Sequence, residues 1–153
     1  MSKKILIAVG VLLVIVGVVI FTRNATDQQN TMDQQAVKRS SYTYADGNGN
    51  IYNLDPVAMT IEYDPVILAE SSSGMYSGGE YTKKTISVEL YDTVAVLFGK
   101  ASLNKSAHIE NRIKGSGSAT ITDGTSTNEF ILGQNTGEKA EIEKMLKVLV
   151  GNK

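Results

Sequence analysis

Residues 57–64 read VAMTIEYD. Val57, Met59, Ile61 and Tyr63 alternate with Ala58, Thr60, Glu62 and Asp64. That period of two puts the apolar set on one face of a β-strand. Pro56 and Pro65 bracket the run, as suits a residue that cannot donate to a strand ladder. This is the cleanest strand signal in the chain, and the flanking segments are read outward from it.

Upstream, residues 42–44 (YTY) and 51–54 (IYNL) flank the cluster DGNGN at 46–50. Two β-prone runs around Gly and Asn predict a hairpin, because those residues tolerate positive φ in turns. Downstream, residues 66–68 predict a short further strand before a Ser/Gly-rich segment. Then the period changes. Ile86, Leu90, Val94, Leu97 and Ala101 recur at three and four, widened by Phe98, and predict an amphipathic helix over 85–104. Strands follow at 107–114, 118–122 and 128–132, the last two joined at Asp123-Gly124. A final helix is capped by Thr136, carries Glu138 near its positive end, buries Ile142, Met145, Leu146 and Leu149, and stops at Gly151. The order suggests two ββ(β)α units. The fold class expected is α+β: a small antiparallel sheet with two helices packed on one face.

Residues 5–21 are a different object. They read ILIAVGVLLVIVGVVIF, without a charged side chain. At about 1.5 Å per residue this run reaches across a hydrocarbon core as a helix, and it exceeds the apolar region of a signal peptide. The cleavage context after it is poor, so residues 1–23 are expected to be an uncleaved signal-anchor; secretion after cleavage is the alternative. Lys3 and Lys4 favour a cytoplasmic N-terminus and an extracytoplasmic remainder. Residues 24–41 read as a polar stalk, and the domain occupies 42–153.

Composition excludes several chemistries. The chain has no Cys and one His. Disulfides, thiol catalysis and thiolate metal sites are therefore impossible, as is a site with two imidazole ligands from one chain. No cofactor and no metal site is expected. Between Arg39 and Lys83 there is no basic residue, and the region holds Asp46, Asp55, Glu62, Asp64, Glu70 and Glu80. No dense basic patch offers itself to phosphates, so nucleic acid is not an expected partner.

Three motifs invite chemistry. The DGNGN turn matches the first ligand positions of a calcium loop, but Ile51 and Val57 stand where Gly and Glu are needed, so it reads as a turn. Ser77 with Gly78 and Gly79 raises a serine nucleophile, for which His108 is the only imidazole base. His108, Glu110, Arg112 and Lys114 share a face if 107–114 is a strand, and Arg112 then suits an anionic group.

The strongest candidate is the segment formed by Ser71, Ser72, Ser73, Gly74, Met75, Tyr76, Ser77, Gly78, Gly79 and, beyond Glu80, Tyr81. Its Ser and Gly content suggests slack, but a linker has no need of Met75, Tyr76 and Tyr81. Tyr, Ser and Gly together are the mix of adaptable binding loops. The expectation is a membrane-anchored, non-enzymatic binding domain that contacts a protein or small molecule through 71–81 and Arg112. A small hydrolase using Ser77 with His108, and an accessory subunit of a membrane complex, are the alternatives.

Overall fold

The computed structural model describes residues 38–71 and 73–151. The chain divides into two units, Met1–Lys38 and Arg39–Lys153. Only Lys38 of the first is described, and the fold below is that of the second. The expected anchor at 5–21 and most of the expected stalk lie outside the described residues. Among the described residues no helix is long and apolar enough to cross a membrane.

The elements run β1 (Ser41–Ala45), β2 (Ile51–Asp55), β3 (Thr60–Asp64), β4 (Thr82–Thr85), α1 (Val88–Leu103), a 3-10 turn (Lys105–Ala107), β5 (His108–Ile109), β6 (Gly117–Asp123), β7 (Ser126–Leu132) and α2 (Gly137–Val150). The strands form one antiparallel sheet in the order β4-β3-β2-β1-β6-β7-β5. The architecture is thus α+β.

Register sorts the side chains. Tyr44 lies opposite Tyr52 and Ala119, Tyr52 opposite Tyr63, and Leu54 opposite Tyr42 and Ile61, and all of these are buried. The other face carries Thr43 opposite Asn53 and Thr120, and Glu62 opposite Lys83. One covered face and one polar face is the usual solution for an antiparallel sheet.

The helices supply the cover. α1 buries Tyr91, Val94, Phe98 and Ala101, a stripe at helical spacing. Phe98 lies 4.9 Å from the Tyr42 ring and stands edge-on to Tyr44 at 6.3 Å. α2 buries Ile142, Leu146, Leu149 and Val150 into the same core. Across the two helices Asn104 Nδ2 donates to Glu138 Oε1 at 2.7 Å, and Lys100 pairs with Glu141.

Several expectations need correction. The strand at 57–64 begins only at Thr60. Asp55 Oδ1 accepts from the backbone N–H of Val57 at 2.7 Å and of Ala58 at 3.0 Å, which folds 56–59 into a turn and leaves Val57 91% exposed. The same N–H groups hold the Asp55 carboxyl below its ordinary range. Residues 66–68 form no strand; Ser71 N–H bonds back to Ile67 O instead. The strand over 107–114 is confined to His108–Ile109, so Glu110, Arg112 and Lys114 are loop residues. Thr136 does not cap α2 with its side chain, because its hydroxyl donates to Gly133 O. Strand β4 was not expected at all. The 71–81 segment therefore joins two strands, not a strand to a helix.

Candidate functional site

The β1–β2 turn is the centre of one end of the sheet. Asp46 and Asn50 are buried there, at 6% and 3% exposure. Asp46 Oδ1 accepts from Asn48 N and Asn50 N, and its Oδ2 accepts from Asn50 Nδ2 at 2.8 Å. This carboxylate is spent on the turn's own donors, which is why the calcium-loop likeness is only a turn. Asn50 then reaches outward. Its Nδ2 also donates to the Tyr76 hydroxyl at 2.8 Å, and its Oδ1 accepts from Val66 N at 3.0 Å.

These bonds pin the β3–β4 segment. Gly78 N donates to Val66 O, and the Tyr63 hydroxyl donates to Gly78 O at 2.7 Å. A Cβ at Gly78 would collide with Asn50 Oδ1 and lie 2.8 Å from Pro65 Cβ, so only glycine permits this approach. A third strap comes from the β5–β6 loop, where Arg112 Nη2 donates to Asp46 O at 2.7 Å. Gly47 meets that loop so closely that an added Cβ would sit 2.6 Å from Gly115 Cα.

The turn is a ridge between clefts, with Asn48 lining each of them. One of about 370 Å³ is bounded by Tyr52, Tyr63, Tyr76 and Lys147. A second of about 310 Å³ lies against Gln134, Asn135 and the α2 side chains Lys139, Glu143 and Lys147. A third of about 750 Å³ lies between the turn and Val66, Glu70, Ser71, Ser73, Tyr76 and Lys114. Lys139, Glu143 and Lys147 recur every four residues, one helical stripe aimed at the turn. Glu143 Oε1 accepts from Lys139 Nζ at 2.9 Å and from the Tyr44 hydroxyl at 3.0 Å.

Phenol electrostatics set what this end of the domain can do. Burial, then the Glu143 carboxylate, pushes the Tyr44 phenol far above its ordinary value. Burial, then Tyr63, does the same to Tyr52. Tyr63 is pushed up to about 12, by burial first and then by Tyr76. With their protons held, Tyr44 donates to Glu143 and Tyr63 to Gly78 O.

The expected site residues divide accordingly. Tyr76 is half-buried and tied to the turn, and Gly78 is the pin beside it. Ser71 Oγ accepts from Tyr76 N, Ser73 Oγ from Met75 N, and Ser77 Oγ from Gly79 N, each at 3.3 Å. Gly74 N donates to Ser71 O. Met75 is 85% and Tyr81 56% exposed, and Ile67 and Leu68 are exposed on the same connection. Ser72 lies outside the described residues. Arg112 is exposed but braces the turn through the backbone, not as part of a charged strand face.

Ser77 and His108 do not meet. Ser77 lies in the connection to β4 at one edge of the sheet, and His108 is on β5 at the other. His108 Nε2 bonds Ala101 O at 2.8 Å, and its ring stacks on Phe130. Sequence reasoning missed Asp46, Asn50 and Tyr63 as the groups that hold the segment, and Lys139, Glu143 and Lys147 as cleft walls. The four-residue recurrence on α2 was the one available signal for the last three. Comparison with protein-family models, curated proteins and solved structures finds no match.

Proposed function

We propose that the chain is a single-pass membrane protein whose second unit is an extracytoplasmic binding domain working without catalysis. Its N-terminus is cytoplasmic and residues 5–21 are the anchor. The 71–81 segment is the contact. The observation that carries the reading is the division of labour within that segment. Tyr76 and Gly78 are fixed to the Asp46–Asn50 turn, while Met75 and Tyr81, the latter hydrogen-bonded to Glu62, stay exposed, and Ser71 and Ser73 face a cleft shared with Lys114. A braced frame that displays an apolar and an aromatic side chain loses little conformational entropy when a partner docks. The distance between the Ser77 and His108 neighbourhoods weighs against the hydrolase alternative.

The test is a pull-down from membranes with the full chain and with a Met75→Ser, Tyr81→Ser double variant. Both side chains are exposed, so the variant is expected to fold as the wild type does. Loss of one or more partners is the expected result; identical partner sets would sink the proposal.

A further inference from the structure

The two edges of the sheet are not equally protected. At one edge β4 reads Thr-Lys-Lys-Thr, and Lys83 and Lys84 blunt it in the way natural edge strands avoid unwanted pairing. At the other edge β5 covers β7 only at Ile131 and Leu132. The chain then leaves the sheet at Glu110, and Ser126, Thr127, Asn128 and Glu129 remain exposed with neither Lys nor Pro among them.

Register fixes which backbone groups point outward. Asp123 and Ser126 close the two-residue turn of Gly124 and Thr125, so they exchange hydrogen bonds as a narrow pair. Alternation then turns Asn128, Phe130 and Leu132 toward β6, and Thr127, Glu129 and Ile131 away from it. The bond from Gly133 N to Ala107 O gives the same phase independently, since Gly133 and Ile131 must both face β5. Among the described residues no backbone group pairs with the outward N–H and C=O of Thr127 and Glu129. A groove of about 480 Å³ crosses β6, β7 and the end of β5 beside this edge, with Ser118, Thr120, Ile109, Glu110, Glu129 and Ile131 in its walls. Its charged side chains are both carboxylates, and His108 is its one other titratable group.

We propose that this edge of β7 accepts an extended polypeptide segment of another protein as an eighth strand, with a Lys or Arg set against Glu129 and Glu110. The incoming backbone would take over the four outward groups of Thr127 and Glu129. Complementary charge selects the strand's side chains. A second copy of this chain fits less well, because edge-to-edge pairing would bring two sets of these carboxylates together. The inference stands apart from the 71–81 segment, which belongs to the opposite edge.

The experiment selects a phage-displayed library of randomised octapeptides on the full chain in detergent micelles. Selected peptides are then synthesised and added while amide exchange is followed by NMR. Enrichment of Lys or Arg at one fixed position is expected. Thr127 and Glu129 amides should slow, and the Asn128 amide, already bonded to β6, should not. Thr127→Pro removes one outward donor at a position where an edge strand tolerates proline. It should weaken binding by about tenfold, the equivalent of one to two hydrogen bonds. Glu129→Lys, which makes no demand on the backbone, should move the selected preference from basic to acidic residues. Failure to enrich any peptide, or binding that leaves Thr127 and Glu129 exchanging freely, overturns the proposal. So does a dimeric chain whose Thr127 and Glu129 amides are protected without peptide, which would assign the edge to a second copy.

Discussion

The turn at 46–50 and the segment at 65–81 have similar compositions and opposite physics. Both are rich in Gly with Asn or Ser. The two ends of the turn, Asp46 and Asn50, are buried, and their carboxylate and amide are satisfied within the domain. The segment is mostly exposed, and most of its internal bonds are short-range, between neighbouring backbone groups or from backbone N–H groups to nearby serine hydroxyls. Order in the second is borrowed from the first through Asn50, Tyr76 and Gly78. Small polar residues therefore say little about slackness; what decides it is whether their donors and acceptors are answered by something buried.

The largest expected effect acts on the phenols beneath both regions. Tyr63 ionises near 12 in the fold against an ordinary 10.0. The unfolded chain gives up that proton first. Stability is thus fully present below pH 10 and falls as pH rises toward about 12. Tyr44, Tyr52 and Tyr91, all raised by burial, add in the same direction. An alkaline titration should show phenolate absorbance rising together with loss of near-ultraviolet circular dichroism. Phenolate formation by these tyrosines in a still-folded domain would contradict the placement.

Next comes the turn itself. Asp46→Ala strands three donors, Asn48 N, Asn50 N and Asn50 Nδ2, two of them on a buried residue. A loss of about 3 kcal/mol is expected, read from the urea midpoint, with Asp46→Asn intermediate. Gly78→Ala strikes the junction instead and should cost about 2 kcal/mol, because the new methyl has no room against Asn50 and Pro65. Its signature is local: amide exchange should quicken across 66–79 and stay unchanged in β6 and β7. If exchange rises uniformly, the segment is not a separate unit leaning on the turn.

Much of this was legible in the chain before any coordinates. The β1–β2 hairpin, the β6–β7 hairpin and both helices follow from apolar periods and turn dipeptides, which are local signals. The errors have local causes too. Val57 and Met59 continue the alternation of β3, yet Asp55 captures the next two backbone N–H groups and breaks the strand. Strand β4 has no apolar alternation because it is a lysine-bearing edge. Tyr76 was visible as a residue with a purpose, but not the direction of its hydroxyl. Its partner Asn50 is 26 residues away, and only the register of β2 against β3 brings Val66 and Tyr76 to it.

The smallest effect separates the two pins. Tyr76→Phe keeps the ring and deletes the oxygen that accepts from Asn50 Nδ2. One N–H of that amide keeps Asp46 Oδ2, and the freed one lies at the cleft of about 370 Å³ where water can reach it, so a loss of only about 1 kcal/mol is expected. Gly78 N would still bond Val66 O, and Tyr63 would still bond Gly78 O. Exchange should then quicken between Ser71 and Tyr76 and hold at Gly78. A variant as loose at Gly78 as at Tyr76 would mean that the phenol, and not the glycine contact, carries the frame from which Met75 and Tyr81 are displayed.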